Sequence, residues 1–157
     1  MTVAFEFNHD IETVYETLTN PEYLVDRCLD LGELSAECDV EEHEEGTTVT
    51  MVREMQQDVP KILQKLFGDV QTVDLTEEWT PADNGWHGHW VLQARGQSAT
   101  LEADFTLEET KGGCRYTVTH SAKAKIPLLG KQVEKFMLGQ TKEGAENELN
   151  HLKEHLG

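Results

Sequence analysis

The sequence IPLLGKQVEKFMLGQTKEGAENELNHLKEHL, residues 126–156, decides the fold, because it predicts one helix of about 25 residues after a Pro-Leu-Leu-Gly lead-in. Its apolar residues recur with the period of a helix and form two stripes. The first stripe comprises Val133, Phe136 and Met137, and the second comprises Leu138, Ala145, Leu149, Leu152 and Leu156. We expect the first stripe to contact a cavity and the second to seal against a sheet.

The chain before this helix predicts one strand, two short helices and then six strands. Residues 2–7 alternate between apolar and polar side chains, and Asn20-Pro21 separates two short amphipathic helices. After Gly32 the apolar period changes to two, which is typical of strands. Six consecutive strands with hairpin-length turns predict an antiparallel sheet with one apolar face. We therefore expect a single α+β domain over residues 1–157, in which a curved sheet of about seven strands wraps around the long helix.

Two further features modify this simple plan. Residues 57–69 interrupt the strand pattern, and Pro60 can start a short helix whose apolar side chains include Leu63 and Phe67. We expect this insertion to pack on the first part of the long helix or to cover an opening. Gly139 and Gly144, inside the long helix, predict a bend or a close approach of another element.

The overall charge argues against polyanionic partners. Thirty acidic and 13 basic residues give a formal net charge of −17, which disfavours nucleic acid and anionic membrane surfaces. No apolar run is long enough for a membrane span, and the first ten residues do not resemble a signal peptide. The three cysteines lack metal-binding spacing and cannot all pair with one another, which favours a reducing, cytoplasmic setting.

Three segments resemble a known family. The sequences FNHDIETVYETLTNPEY (7–23), EEWTPADNGW (77–86) and IPLLGKQVEK (126–135) look like the opening, a central turn and the start of the last helix in START-like proteins. This superfamily, also called SRPBCC, has a helix-grip fold and includes the birch-pollen allergen and the polyketide cyclases. The last segment is most similar to the bacterial domain of unknown function 2505. The resemblance implies a cavity between sheet and helix that holds a lipid, sterol, polyketide or other hydrophobic molecule, and it carries over no catalytic residue.

The strand periods place one set of side chains on the inner face of the sheet, and the insertion and long helix add others. These residues are the predicted ligand-binding candidates: Met51, Arg53, Met55, Leu63, Phe67, Glu77, Trp90, Phe105, Tyr116, Val118, His120, Phe136 and Met137. Methionine and aromatic side chains suit a pliable apolar wall, although the same pattern is also typical of an ordinary core.

The polar members of this set have two interpretations each. Arg53 and Glu77 can form a structural ion pair or anchor the polar group of a ligand, because a buried guanidinium needs a partner. His120 can bind a ligand oxygen or act as an acid or base, or it can be a core histidine bonded to the backbone. His120 and Tyr116 are the acid/base candidates if the protein is an enzyme.

The other histidines and cysteines give weaker indications. His87 and His89 share a strand face, but the sequence supplies no third ligand, so we expect no metal site and no cofactor. His151 and His155 lie away from the leucine stripe and should be solvated near the helix C-terminus. We expect the thiols to be structural, because no base that could activate them is identifiable.

The sequence therefore favours a protein that binds a hydrophobic small molecule without catalysing a reaction. A cyclase or aromatase that uses His120 or Tyr116 is one alternative. A co-chaperone-like module that binds partners through its acidic surface is another, and it rests on charge alone.

Overall fold

A computed structural model describes residues 2–56 and 58–157, so Gln57, the first residue of the predicted insertion, lies outside the described residues. The described part forms seven strands, three α-helices and one short 3-10 helix. In chain order these are β1 Thr2–Phe7, α1 Ile11–Leu18, α2 Pro21–Asp30, β2 Ser35–His43, β3 Gly46–Gln56, the 3-10 helix Lys61–Leu63, β4 Val70–Ala82, β5 Gly85–Ala94, β6 Ala99–Thr110, β7 Gly113–Ala124 and α3 Gly130–Leu156.

All seven strands belong to one curved antiparallel sheet in the order β1-β7-β6-β5-β4-β3-β2. Consecutive strands from β2 to β7 are neighbours, and β1 closes the other edge by pairing with β7 from Thr2 opposite Thr119 to Phe7 opposite Cys114. The long helix α3 packs across β7, β1 and β6. This arrangement confirms the predicted α+β helix-grip layout.

Side-chain caps begin both short helices, and the second helix starts at Asn20-Pro21 as the sequence predicts. Asp10 caps α1 by accepting a hydrogen bond from the backbone N–H of Thr13 at 2.7 Å. Asn20 caps α2 by accepting from the N–H groups of Glu22 and Tyr23, and Pro21 occupies the first turn. Both caps satisfy backbone donors that would otherwise lack partners at a helix N-terminus.

The apolar core has two parts, which lie under different halves of α3. The larger part contains Leu149 and Leu152 of α3 together with buried residues of α1, α2 and the sheet. The smaller part joins Val133 and Met137 of α3 to Leu63 and Phe67 of the insertion and to β6. The predicted contact between the insertion and the first half of α3 is therefore confirmed.

One of the two roles predicted for the glycines of α3, a close approach of another element, is wrong. A Cβ atom built on Gly139 or Gly144 would meet no atom within 4 Å, so neither residue marks a close approach among the described residues. By contrast, Gly88 on β5 makes room for an aromatic ring, because a Cβ there would lie 2.0 Å from Cζ of Phe105. Phe105 in turn packs edge-on against Trp79, with ring centroids 4.7 Å apart.

Candidate functional site

A cavity of about 350 Å³ lies between the inner face of the sheet and the helices α2 and α3. One part of its wall is apolar and is formed by side chains from the sheet, the insertion and α3. These include Met55, Phe67, Val73, Leu92, Leu101, Phe136 and Met137. The cavity wall extends along α3 as far as Leu149, so the second half of that helix does more than seal against the sheet.

Ten of the thirteen predicted binding candidates line this cavity. They are Arg53, Met55, Phe67, Glu77, Trp90, Tyr116, Val118, His120, Phe136 and Met137. Met51 and Phe105 lie in the larger core and Leu63 in the smaller one, outside the cavity wall. Phe105 is held beneath the wall because its ring occupies the space above Gly88. A ligand-binding role for any of the thirteen remains a prediction.

The other part of the wall includes a group of acidic and basic side chains, which we call the charge cluster: Arg27, Glu33, Arg53, Glu77 and Glu148. Arg53 donates from Nε to Oε1 of Glu33 at 2.9 Å, and its Nη2 also bonds Oε2 of Glu33. The same Nη2 donates to Oε2 of Glu148 at 3.1 Å. Nη2 of Arg27 lies 3.6 Å from the other oxygen of Glu148. Glu148 therefore bridges two buried guanidinium groups.

Arg53 and Glu77 do not form the ion pair that was one of their two interpretations. In the register of β3 and β4, Arg53 lies opposite Val73 and Glu77 lies opposite Val49, so the two side chains are offset along the strands. Arg53 is instead neutralised by Glu33, from the turn after α2, and by Glu148. These two acids, together with Arg27, are the members of the site that the sequence did not reveal.

Pairing determines how the buried charges titrate. Burial disfavours the ionised form of Glu148, but Arg27 and Arg53 outweigh this effect and lower its pKa. Burial also acts against the cationic form of Arg53, yet the hydrogen bond to Glu33 and the charge of Glu148 raise its pKa overall. Glu148 and Arg53 are therefore both charged near neutral pH.

Glu77 is different because it forms no ion pair or hydrogen bond within residues 2–56 and 58–157. The exposed part of the Glu77 side chain lines the cavity. Burial raises its pKa to about 7, while Arg27, the indole N–H of Trp79 and Arg53 act in the opposite direction. The indole N–H is close enough to affect this pKa, although its geometry does not qualify as a hydrogen bond. Glu77 therefore changes charge near neutral pH.

His120 and Tyr116 both lie on the cavity wall, as their strand phase predicts. His120 is buried, and its ring centroid lies 5.6 Å from that of Trp90. Burial raises the pKa of Tyr116 well above its ordinary value, and the charges of Glu77 and Glu148 add to this effect. The phenol of Tyr116 can therefore donate a hydrogen bond to a ligand but is a poor source of a phenolate base.

The histidines and cysteines outside the cavity do not form a second site. His89 pairs with Asp104 across β5 and β6 at 3.0 Å, and His87 is exposed. No group of residues suited to hold a metal ion occurs among the described residues. All three cysteines are free, and burial raises the pKa of each thiol to about 11, which disfavours a reactive thiolate.

His151 is not solvated in the way that the sequence suggests. Its Nδ1 lies 2.9 Å from the hydroxyl of Tyr23, and its Nε2 lies 2.9 Å from Oδ2 of Asp30. Both partners belong to α2, so His151 links α2 to α3 in the same way as the Arg27–Glu148 pair does. His155, by contrast, is exposed as predicted. We call this row of polar contacts the α2–α3 seam.

Comparison with known proteins places the chain in a family. A family model described as "Protein of unknown function (DUF2505)" matches residues 2–156. The chain belongs to the DUF2505 family. No functionally curated protein shows significant sequence similarity to this DUF2505 chain.

Several solved structures share the fold of this DUF2505 protein. A protein from Thermus thermophilus matches with a TM-score of 0.66 at 17% identity, over 98% of this chain and 94% of the other. A Rhodobacter sphaeroides protein matches with a TM-score of 0.60 at 16% identity, covering 99% and 90% of the two chains. An uncharacterised protein from Rhizobium leguminosarum has a TM-score of 0.60 at 12% identity, with 98% and 90% covered. At these identities the likeness extends to the fold alone. Among the described residues, none of the helices is long and apolar enough to cross a membrane.

Proposed function

We propose that this DUF2505 protein binds a hydrophobic small molecule, of lipid-like or polyketide-like character, in the cavity between its sheet and α3. The observation that carries the proposal is a cavity of about 350 Å³ with an apolar wall and a charge cluster on the same surface. Ligand pockets typically have volumes of about 300–1,000 Å³, a mostly apolar lining and a few placed polar groups. The cavity lies at the small end of that range, which favours a ligand of modest size.

The apolar wall would supply affinity, and the charge cluster would orient the ligand. Met55, Phe136 and Met137 offer flexible or aromatic surface, which adapts to the shape of an apolar ligand. Buried polar groups of a ligand need partners, and the charge cluster offers them at one place. We further propose that the family is START-like, on the strength of the helix-grip layout. We expect the protein to act in the cytoplasm, because its cysteines are free thiols.

An enzyme is the second candidate, and Glu77 is the observation in its favour. A general acid or base is most effective when its pKa lies near the working pH, and that of Glu77 is about 7. Glu77 also lines the cavity, and none of its contacts with the described side chains is an ion pair. If a substrate is found, Glu77→Gln should abolish turnover while the fold remains intact. Normal turnover by that variant would exclude this candidate.

Binding can be tested with intrinsic fluorescence, because Trp79 and Trp90 line the cavity. Decan-1-ol is a suitable uncharged probe and should produce a saturable change with one site per chain. Ala145→Phe places a ring on the cavity wall and should weaken this binding by at least about tenfold. Asn150→Phe adds the same ring to an exposed position of α3 and should leave the affinity unchanged.

The two variants distinguish cavity binding from adsorption to the surface. Melting curves of both would verify that each variant is folded before binding is compared. Native mass spectrometry of protein purified from cells would then show whether a molecule of matching size is already bound. Equal binding of decan-1-ol by both phenylalanine variants would overturn the proposal, and so would failure of the wild type to saturate with either decan-1-ol or sodium decanoate.

A further inference from the structure

The charge cluster and its neighbour Trp79 contain two buried N–H donors that meet no acceptor within the described residues. These are Nε of Arg27 and Nε1 of Trp79. Arg27 is 7% exposed and Trp79 is 1% exposed, and both residues line the cavity. A buried donor without an acceptor is destabilising, and one on a guanidinium group forms strong hydrogen bonds when an anionic acceptor is supplied.

Glu77 lies at the same point of the cavity wall. Glu77 and Trp79 are two residues apart on β4, so their side chains lie on the same face of the sheet, and both line the cavity together with Arg27. The indole N–H of Trp79 and the charge of Arg27 also act on the titration of Glu77. It has no donor of its own among the described residues that meets hydrogen-bond geometry. Two buried donors without an acceptor and one carboxyl group therefore belong to residues that line this part of the cavity.

A carboxyl group on a ligand complements all three of these groups. Its two oxygens can accept from Arg27 Nε and Trp79 Nε1, and one proton can be shared with Glu77. A cationic head group provides no acceptor for the two donors. A neutral hydroxyl provides one oxygen and forms weaker bonds with a guanidinium group than a carboxylate does.

We infer that the cavity takes a hydrophobic monocarboxylic acid, whose carboxyl group binds Arg27 Nε and Trp79 Nε1 and shares one proton with Glu77. This inference rests on the proposed function and specifies its ligand. Above pH 7 the complex forms from the ligand carboxylate, the Glu77 carboxylate and one proton taken up from solvent. Apart from this proton transfer, no covalent bond is made or broken.

The surroundings of Glu77 support this assignment of the proton. The titratable or charged groups that interact with Glu77 are Arg27 of α2, Cys38 of β2, Arg53 of β3, Tyr116 of β7 and Glu148 of α3. Glu33, His120 and Glu143 also line the cavity. The pKa of Cys38 is raised to about 11 and that of Tyr116 is raised well above its ordinary value, both chiefly by burial. Glu148 stays ionised beside its two arginines. Glu77 is therefore the acid positioned to accept the proton.

Proton sharing makes the affinity depend on pH in a defined direction. Free Glu77 loses its proton as the pH rises through about 7, so above that pH the complex must take up one proton from solvent. The affinity for the acid should then fall about tenfold for each further pH unit. An uncharged ligand of the same length should show no such dependence.

The experiment compares sodium decanoate with decan-1-ol by isothermal titration calorimetry of the full chain. At pH 7, decanoate should bind at least about tenfold more tightly than the alcohol. At pH 8, titrations in two buffers with different ionisation enthalpies should show uptake of close to one proton with decanoate. Glu77→Gln should bind decanoate with almost no proton uptake. Trp79→Phe should weaken the binding of decanoate but not that of decan-1-ol. Trp86 lies outside the cavity wall, so Trp86→Phe should change neither affinity.

Each outcome decides the matter. Equal or tighter binding of decan-1-ol, or no proton uptake by the wild type, would overturn the inference while the proposed function stands. Binding of neither molecule would overturn both. The pH series of the wild type requires no variant to fold, and an affinity for decanoate that stays constant from pH 7 to 9 would by itself overturn the inference.

Discussion

Replacing Glu77 with glutamine should make the protein more stable, and the gain should depend on pH. Burial raises the pKa of Glu77 from its ordinary value of 4.5 to about 7. The folded protein therefore retains a proton that the unfolded chain loses as the pH rises through about 4.5. The stabilisation associated with this proton is fully present below the unfolded pKa and is lost as the pH rises through the folded pKa. Glutamine, which is neutral at every pH, removes this loss.

The size of the effect follows from the two pKa values. Each unit of pKa corresponds to about 1.36 kcal/mol, so the full difference in free energy of unfolding between wild type and Glu77→Gln amounts to about 3 kcal/mol. The sequence pI is about 4.6, so measurements close to that pH risk precipitation. Between pH 5.5 and 8, which avoids this region, the advantage of the variant should grow by about 2 kcal/mol and then level off.

Urea unfolding followed by tryptophan fluorescence, at half-unit pH steps and constant ionic strength, would measure this difference. All other titrations cancel when the two proteins are compared at the same pH. Glu54→Gln is a suitable control, because Glu54 is exposed on the adjacent strand β3. The free energy of unfolding of Glu54→Gln should change with pH in parallel with that of the wild type. Parallel curves for Glu77→Gln would refute the reasoning, since they would mean that Glu77 ionises in the folded protein as it does in water.

Three further changes test other parts of the structure, each by its urea unfolding midpoint. Glu148→Gln should destabilise the protein by about 3 kcal/mol, because it leaves two buried arginines beside an uncharged side chain that is only 25% exposed. The corresponding change Asp74→Asn, at an exposed ion pair, should have little effect. Equal losses of stability in the two variants would contradict the role of the cluster. Gly88→Ala should cost about 1–3 kcal/mol, since its Cβ would collide with the ring of Phe105, and an unchanged midpoint would show that the ring moves freely. Gly139→Ala should stabilise α3 by about 0.5–1 kcal/mol, because its Cβ meets no described atom within 4 Å, and a loss of stability would reveal a contact there.

Periodicity was sufficient to predict the fold and most of the apolar wall. Alternation along β3, β5 and β7 identified which side chains face inwards. The period of α3 predicted that its first half contacts the insertion, and the ring centroids of Phe136 and Phe67 lie 6.2 Å apart. These predictions depend only on neighbours along one element, which a single sequence records directly.

The charge cluster could not be predicted because it depends on distances between elements. Glu148 precedes Leu149 of the apolar stripe and resembles a surface residue of a helix until α2 is placed beside it. The choice of partner for Arg53 depends on the register of β3 and β4 and on the turn that carries Glu33. The available signal was Arg27, a charged residue on the apolar face of α2, which required a buried acid nearby.

The order of the elements along the chain also determines when the cavity can be completed. Strands β2 to β7 pair with their neighbours in sequence, whereas β1 pairs with β7 from Thr2 to Phe7, across most of the chain. Local pairings form with less loss of chain entropy than distant ones, so the edge formed by β1 is expected to close late. The helix α3, which follows all seven strands, supplies the opposite wall of the cavity. Completion of the cavity therefore depends on the pairing of β1 with β7 and on the docking of α3, the last element of the chain, against the sheet.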